Sequence, residues 1–101
     1  MDKNEQAWRA ARIVLGIPVR YRPVGDHQWM DSRVLNLSES GMLLGPVPLP
    51  AGVQLELAFV VPGNFASFAA GRVRCVGETV RRTPYGAVGV RFDECRYLVK
   101  G

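Results

Sequence analysis

Histidine and cysteine are scarce in this chain of 101 residues: His27 is the one imidazole, and Cys75 and Cys95 are the two thiols. A single histidine and two cysteines without ligand-like spacing do not make the four-ligand set of a structural zinc site. One imidazole also leaves little for acid–base catalysis, which uses titratable groups tuned against each other in a cleft. His27 lies in Val24-Gly25-Asp26-His27-Gln28, a polar stretch that reads as an exposed turn. No phosphate-binding glycine loop opens a helix, and no Cys–His pair stands in a nucleophile setting. No spacing assembles Asp26, Asp31 or Asp93 into a site. These absences point away from an enzyme and toward a binding domain with no metal and no cofactor.

Long apolar runs are missing too. The stretch Ala58 to Pro62 is far too short to cross a bilayer, so no membrane insertion is expected. The N-terminal residues Met1 to Gln6 are polar where a signal peptide would be apolar. The expectation is a cytoplasmic protein with reduced thiols, Cys75 a small buried hydrophobe and Cys95 a free thiol. Repeats, low-complexity tracts and linkers are also lacking. The length suits one domain with one core.

What is present is a globular balance, 48% hydrophobic and 22% charged, which excludes general disorder. The net charge of +4 comes mostly from arginine, a residue suited to bidentate contact with phosphate or carboxylate. Strand patterns dominate. Ile17, Val19 and Tyr21 alternate with Pro18, Arg20 and Arg22, a period of two. Trp29 to Leu37 reads as a second strand, Glu39-Ser40-Gly41 as a tight turn, and Met42-Leu43-Leu44 as the chain extending again. Three prolines make Gly45 to Pro50 a connecting loop. Val53, Leu55, Leu57, Phe59 and Val61 mark one face of the next strand. A long strand with a bend near Gly71 is predicted within Phe65 to Val80, and a last one over Ala87 to Asp93. Only Gln6 to Arg12 and Glu94 to Lys100 have room for short helices. Six or so evenly spaced strands predict an all-β, closed antiparallel barrel over about 17–93, with an arm over 1–16 and a tail over 94–101.

The tract Asn36-Leu37-Ser38-Glu39-Ser40-Gly41 carries the chemistry. Asn36 and Ser38 are two apart on a strand, so both side chains leave by the same face. Each offers hydrogen bonds to an anion or a purine edge. Gly41 can take a positive φ and lets a ligand approach the backbone. The same residues can also do no more than cap a turn.

At this tract the chain resembles the PilZ family, the bacterial cyclic di-GMP receptor domains. The family motif Asp/Asn-x-Ser-x-x-Gly is matched by Asn36, Ser38 and Gly41. Arg12 to Arg22 resembles the family's entry into its first strand, and Gly71-Arg72-Val73-Arg74 and Gly89-Val90-Arg91-Phe92 resemble later ones. The resemblance spans roughly Trp8 to Asp93. It implies a six-stranded antiparallel barrel and binding of cyclic di-GMP by the tract together with an arm motif, Arg-x-x-x-Arg. Here that motif departs from the pattern. Its second arginine falls at Arg12, but Trp8 stands at the first position, with Arg9 one step along. The resemblance therefore implies Arg9, Arg12, Asn36, Ser38 and Gly41 as ligand contacts, with Trp8 as a further stacking candidate.

Three functions follow as expectations. The first is a cyclic di-GMP receptor in bacterial second-messenger signalling, whose ligand switches a surface for a protein partner. The alternative is a PilZ-like adaptor that binds no nucleotide and acts by protein–protein contact. A nucleic-acid-binding barrel is the third and is disfavoured. The inward pattern uses most aromatics, and no dense basic stripe is evident in the sequence.

Overall fold

A computed structural model describes residues 16–63 and 68–98. Six strands form the whole of its regular structure: β1 (Ile17–Pro23), β2 (Met30–Ser38), β3 (Gly41–Leu44), β4 (Gln54–Val61), β5 (Gly71–Arg82) and β6 (Val88–Tyr97). They close into an antiparallel barrel in the order β1-β2-β3-β6-β5-β4, with β4 returning to β1. Closure leaves no unpaired edge. The described residues contain no helix long and apolar enough to cross a membrane.

Alternation sets which side chains fill the barrel. Ile17, Val19 and Tyr21 of β1 point inward, as do Leu55, Leu57, Phe59 and Val61 of β4, all buried. Val34, Leu37, Leu44, Val73, Val88 and Val90 complete the centre of the core. Phe68 packs edge-on between Phe59 and Phe92, with ring centroids 6.3 and 6.2 Å apart. Among the described residues Thr79 is the one fully buried hydroxyl. It donates to the Pro50 carbonyl at 2.7 Å and accepts from the Val53 amide at 2.8 Å. That pair of bonds fastens the end of the proline loop to β5. Arg82 adds to it by donating to the carbonyls of Val47 and Leu49.

The structure corrects several sequence expectations. β5 starts at Gly71, not near Phe65, and residues 64–67 lie outside the described ones. β6 continues through Tyr97, so the C-terminal residues up to that point are strand and not helix. The extension pairs with β5 and puts Cys95 directly opposite Cys75. The two sulfurs are joined in a disulfide across the strands, with a Cα–Cα separation of 4.1 Å. The expectation of free thiols therefore fails: β6 was read four residues too short to show that the cysteines face each other. Tyr85 is exposed. Trp29 is half-buried on the outside of the barrel, with the guanidinium carbons of Arg22 and Arg74 4.4 and 5.4 Å from its ring centre. That contact favours the cations electrostatically.

Candidate functional site

The tract runs off the end of β2, through a two-residue turn, into β3. Asn36 and Ser38 share the outer face by simple alternation about buried Leu37, and the strand is irregular only before them. Val34 pairs with Leu44 and Asn36 with Leu43, so Leu35 is an extra residue in β2. This bulge lets Val34 and Leu37 both point into the core while Asn36 and Ser38 point out. A second bulge lies across the barrel surface. Thr79 pairs with Val90 and Arg81 with Gly89, leaving Val80 extra in β5. Buried Thr79 would otherwise be followed by outward Val80 and inward Arg81. The bulge turns Arg81 outward instead.

The pairings then align two rows across four strands. One runs Asn36, Leu43, Gly89, Arg81; the other runs Ser38, Gly41, Arg91, Glu78. Gly41 and Gly89 have no side chain to fill the middle. The result is an open depression of about 250 Å³, walled by Asn36 and Ser38 on one side and by Arg81, Arg91 and Tyr85 on the other.

The polar groups here differ in how far they are committed. Asn36 is only 8% exposed, yet its carboxamide makes no hydrogen bond to another described side chain or backbone group. Among the described residues no buried side-chain polar atom is left without a partner, so that amide still reaches the surface of the depression. Ser38 is engaged locally: its hydroxyl donates to the Gly41 carbonyl at 3.3 Å and lies 3.4 Å from the Ser40 hydroxyl. The turn-capping reading of Ser38 is thus correct as far as it goes. Arg91 is loosely paired, 3.6 Å from Glu78 and 3.8 Å from Asp93. Arg81 has no ion pair with a described residue.

Gly41 differs from expectation. It is not among the glycines with positive φ. A Cβ there would collide with the backbone carbonyl of Val90, so glycine is required for β3 to approach β6. Arg9, Arg12 and Trp8 lie outside the described residues. Arg81 and Tyr85 were missed as members of the depression. Only the strand register and the Val80 bulge bring them to the tract, and neither leaves a local sequence signal. Among the described residues no group of three or more His, Cys, Asp or Glu could hold a metal ion. The comparisons with known proteins yield no matching family model, curated protein or solved structure.

Proposed function

We propose that this domain is a receptor for cyclic di-GMP, binding it at the Asn36–Arg81 depression and signalling through a protein partner. One observation carries the reading. A nearly buried carboxamide with no internal partner and two arginines face the same depression. Asn36 can read a purine edge, while Arg81 and Arg91 can take phosphate. At about 250 Å³ the depression is smaller than the ~300–1,000 Å³ of a typical ligand pocket. The reading therefore requires the arm to complete the site, with Arg9 and Arg12 on phosphate or guanine and Trp8 stacking on a base. Engagement of the arm by the ligand would then be the switch.

This reading includes a bacterial, cytoplasmic setting and a non-enzymatic role. The disulfide withdraws the thiol argument for the cytoplasm, which now rests on the ligand alone. Titration calorimetry with cyclic di-GMP tests the proposal. The wild type should bind, and Asn36→Ala, Arg81→Ala and Arg12→Ala should each lose about tenfold or more, the equivalent of ~1.4 kcal/mol per contact. Arg72→Ala, on another face, should not change affinity. No heat of binding at high micromolar ligand would sink the receptor reading. Trp8 at the motif's arginine position favours the second reading, an adaptor that needs no nucleotide. A partner captured equally well with and without cyclic di-GMP would support it.

A further inference from the structure

Tyr85 is the most exposed large hydrophobic side chain among the described residues, at 69%. A single exposed aromatic is ordinary on a protein surface. This one lines the depression that holds Asn36 and Arg81. Its hydroxyl makes no hydrogen bond to a described residue, so the side chain is as uncommitted as its two neighbours. The turn beneath it is fixed all the same. The Thr83 amide donates to the Ala87 carbonyl at 2.8 Å, and the Ala87 amide donates to the Thr83 hydroxyl at 3.1 Å. The Gly86 amide donates to the Thr83 carbonyl at 3.3 Å. The Gly86 carbonyl accepts from the Val47 amide at 3.0 Å, which ties the turn to the proline loop. Gly86 holds the chain at φ 84°, a conformation that suits glycine. A braced turn thus carries a ring left largely in water.

The surroundings of that ring suit the face of a base. Val80, 47% exposed, lines the same depression and adds apolar surface. The Arg81 side chain leans over Gly89: a Cβ there would stand 3.7 Å from its Cγ and 4.0 Å from its Nε. The bare backbone of Gly89 gives the arginine room to lie across the floor. Asn36 stands at the far end of that row, beyond Leu43. Its carboxamide and the Tyr85 ring therefore address different parts of a ligand.

We infer that Tyr85 is a stacking platform for one base of the bound nucleotide. This rests on the receptor reading above and adds a contact to the same site. Cyclic di-GMP has two bases. One meets Asn36 by its edge, and the other lies on Tyr85 by its face. Arg81, lying over Gly89 between them, takes phosphate. Tyrosine supplies such a face at low entropic cost, having only two side-chain torsions to fix.

Titration calorimetry with cyclic di-GMP on the whole chain tests the platform with two substitutions. Tyr85→Leu keeps apolar bulk but removes the aromatic face, and should weaken binding about tenfold or more. Tyr85→Phe keeps the face and should stay within about twofold of the wild type. The thermal midpoint of Tyr85→Leu should not move, since the ring is exposed. In proton NMR spectra the guanine H8 resonance should shift upfield on the wild type, as protons over a ring face do, and less on Tyr85→Leu. Full affinity in Tyr85→Leu, with the wild type binding, overturns the platform and leaves the receptor reading standing. Equal losses in Tyr85→Leu and Tyr85→Phe overturn it as well, because the hydroxyl is then the contact. No heat of binding from the wild type removes the receptor reading and the platform with it.

Discussion

At position 41 it is the missing side chain that matters. β3 is only four residues long, and it joins the tract to β6 through a backbone contact that no Cβ fits. The obstacle is a main-chain carbonyl, which cannot swing aside like the end of a side chain. Gly41→Ala should therefore cost about 1–3 kcal/mol, as overpacking does. Its thermal midpoint should fall by roughly 4–8 °C per kcal/mol for a domain of this size. Gly63→Ala is the control, with open space around it and an expected change within about 0.5 kcal/mol. Equal midpoints for the two variants would show that β3 can move away from β6 at no cost. Asn36 is the complementary case at this scale. Its place on the outer face of β2, two residues from Ser38, was legible in the sequence. Its burial was not, because that depends on which residues the strand pairing brings beside it, Leu43 of β3 first.

Among the elements, β1 and β4 were readable almost to the residue, because each keeps strict alternation and buries one face. β2 and β5 were less so, because each carries a bulge, and a bulge inverts the phase of every residue beyond it. Val34 and Leu37 are three apart yet both buried, a spacing that fits no unbroken strand. β6 was read short, since its polar end, Asp93-Glu94-Cys95-Arg96, lacks the apolar alternation that marks a strand. Its pairing with β5 holds it instead. That pairing contains the cross-link. Closing a loop between residues 20 apart removes freedom from the unfolded chain worth ~3 kcal/mol. Reduction of the wild type should lower its thermal midpoint accordingly, and Cys75→Ala with Cys95→Ala should do so without reductant. Reductant should leave the double variant unchanged. A wild-type midpoint insensitive to reductant would mean that the ladder alone holds β5 to β6.

The molecule as a whole has one core, and its closed order makes every strand a neighbour of two others. Removing one strand therefore opens the ring, so unfolding should be a single cooperative event. Tyr21 offers a handle on that event. It sits on β1, paired with β2 on one side and β4 on the other, and is 3% exposed. Burial disfavours its phenolate and raises its pKa above the ordinary 10.0. The unfolded chain thus ionises at this position before the folded one does. Stability from keeping Tyr21 neutral is complete below pH 10.0 and is lost as the pH rises through the folded value. Alkaline unfolding, followed by far-ultraviolet circular dichroism, should coincide with tyrosinate absorbance from this buried ring. Tyr21→Phe keeps the ring, loses no hydrogen bond to a described residue and has nothing to ionise. Its alkaline midpoint should move to higher pH, with all six strands still lost in one transition. An unchanged midpoint would mean that another group opens the barrel, and two separated transitions would mean that the ring of strands does not unfold as one unit.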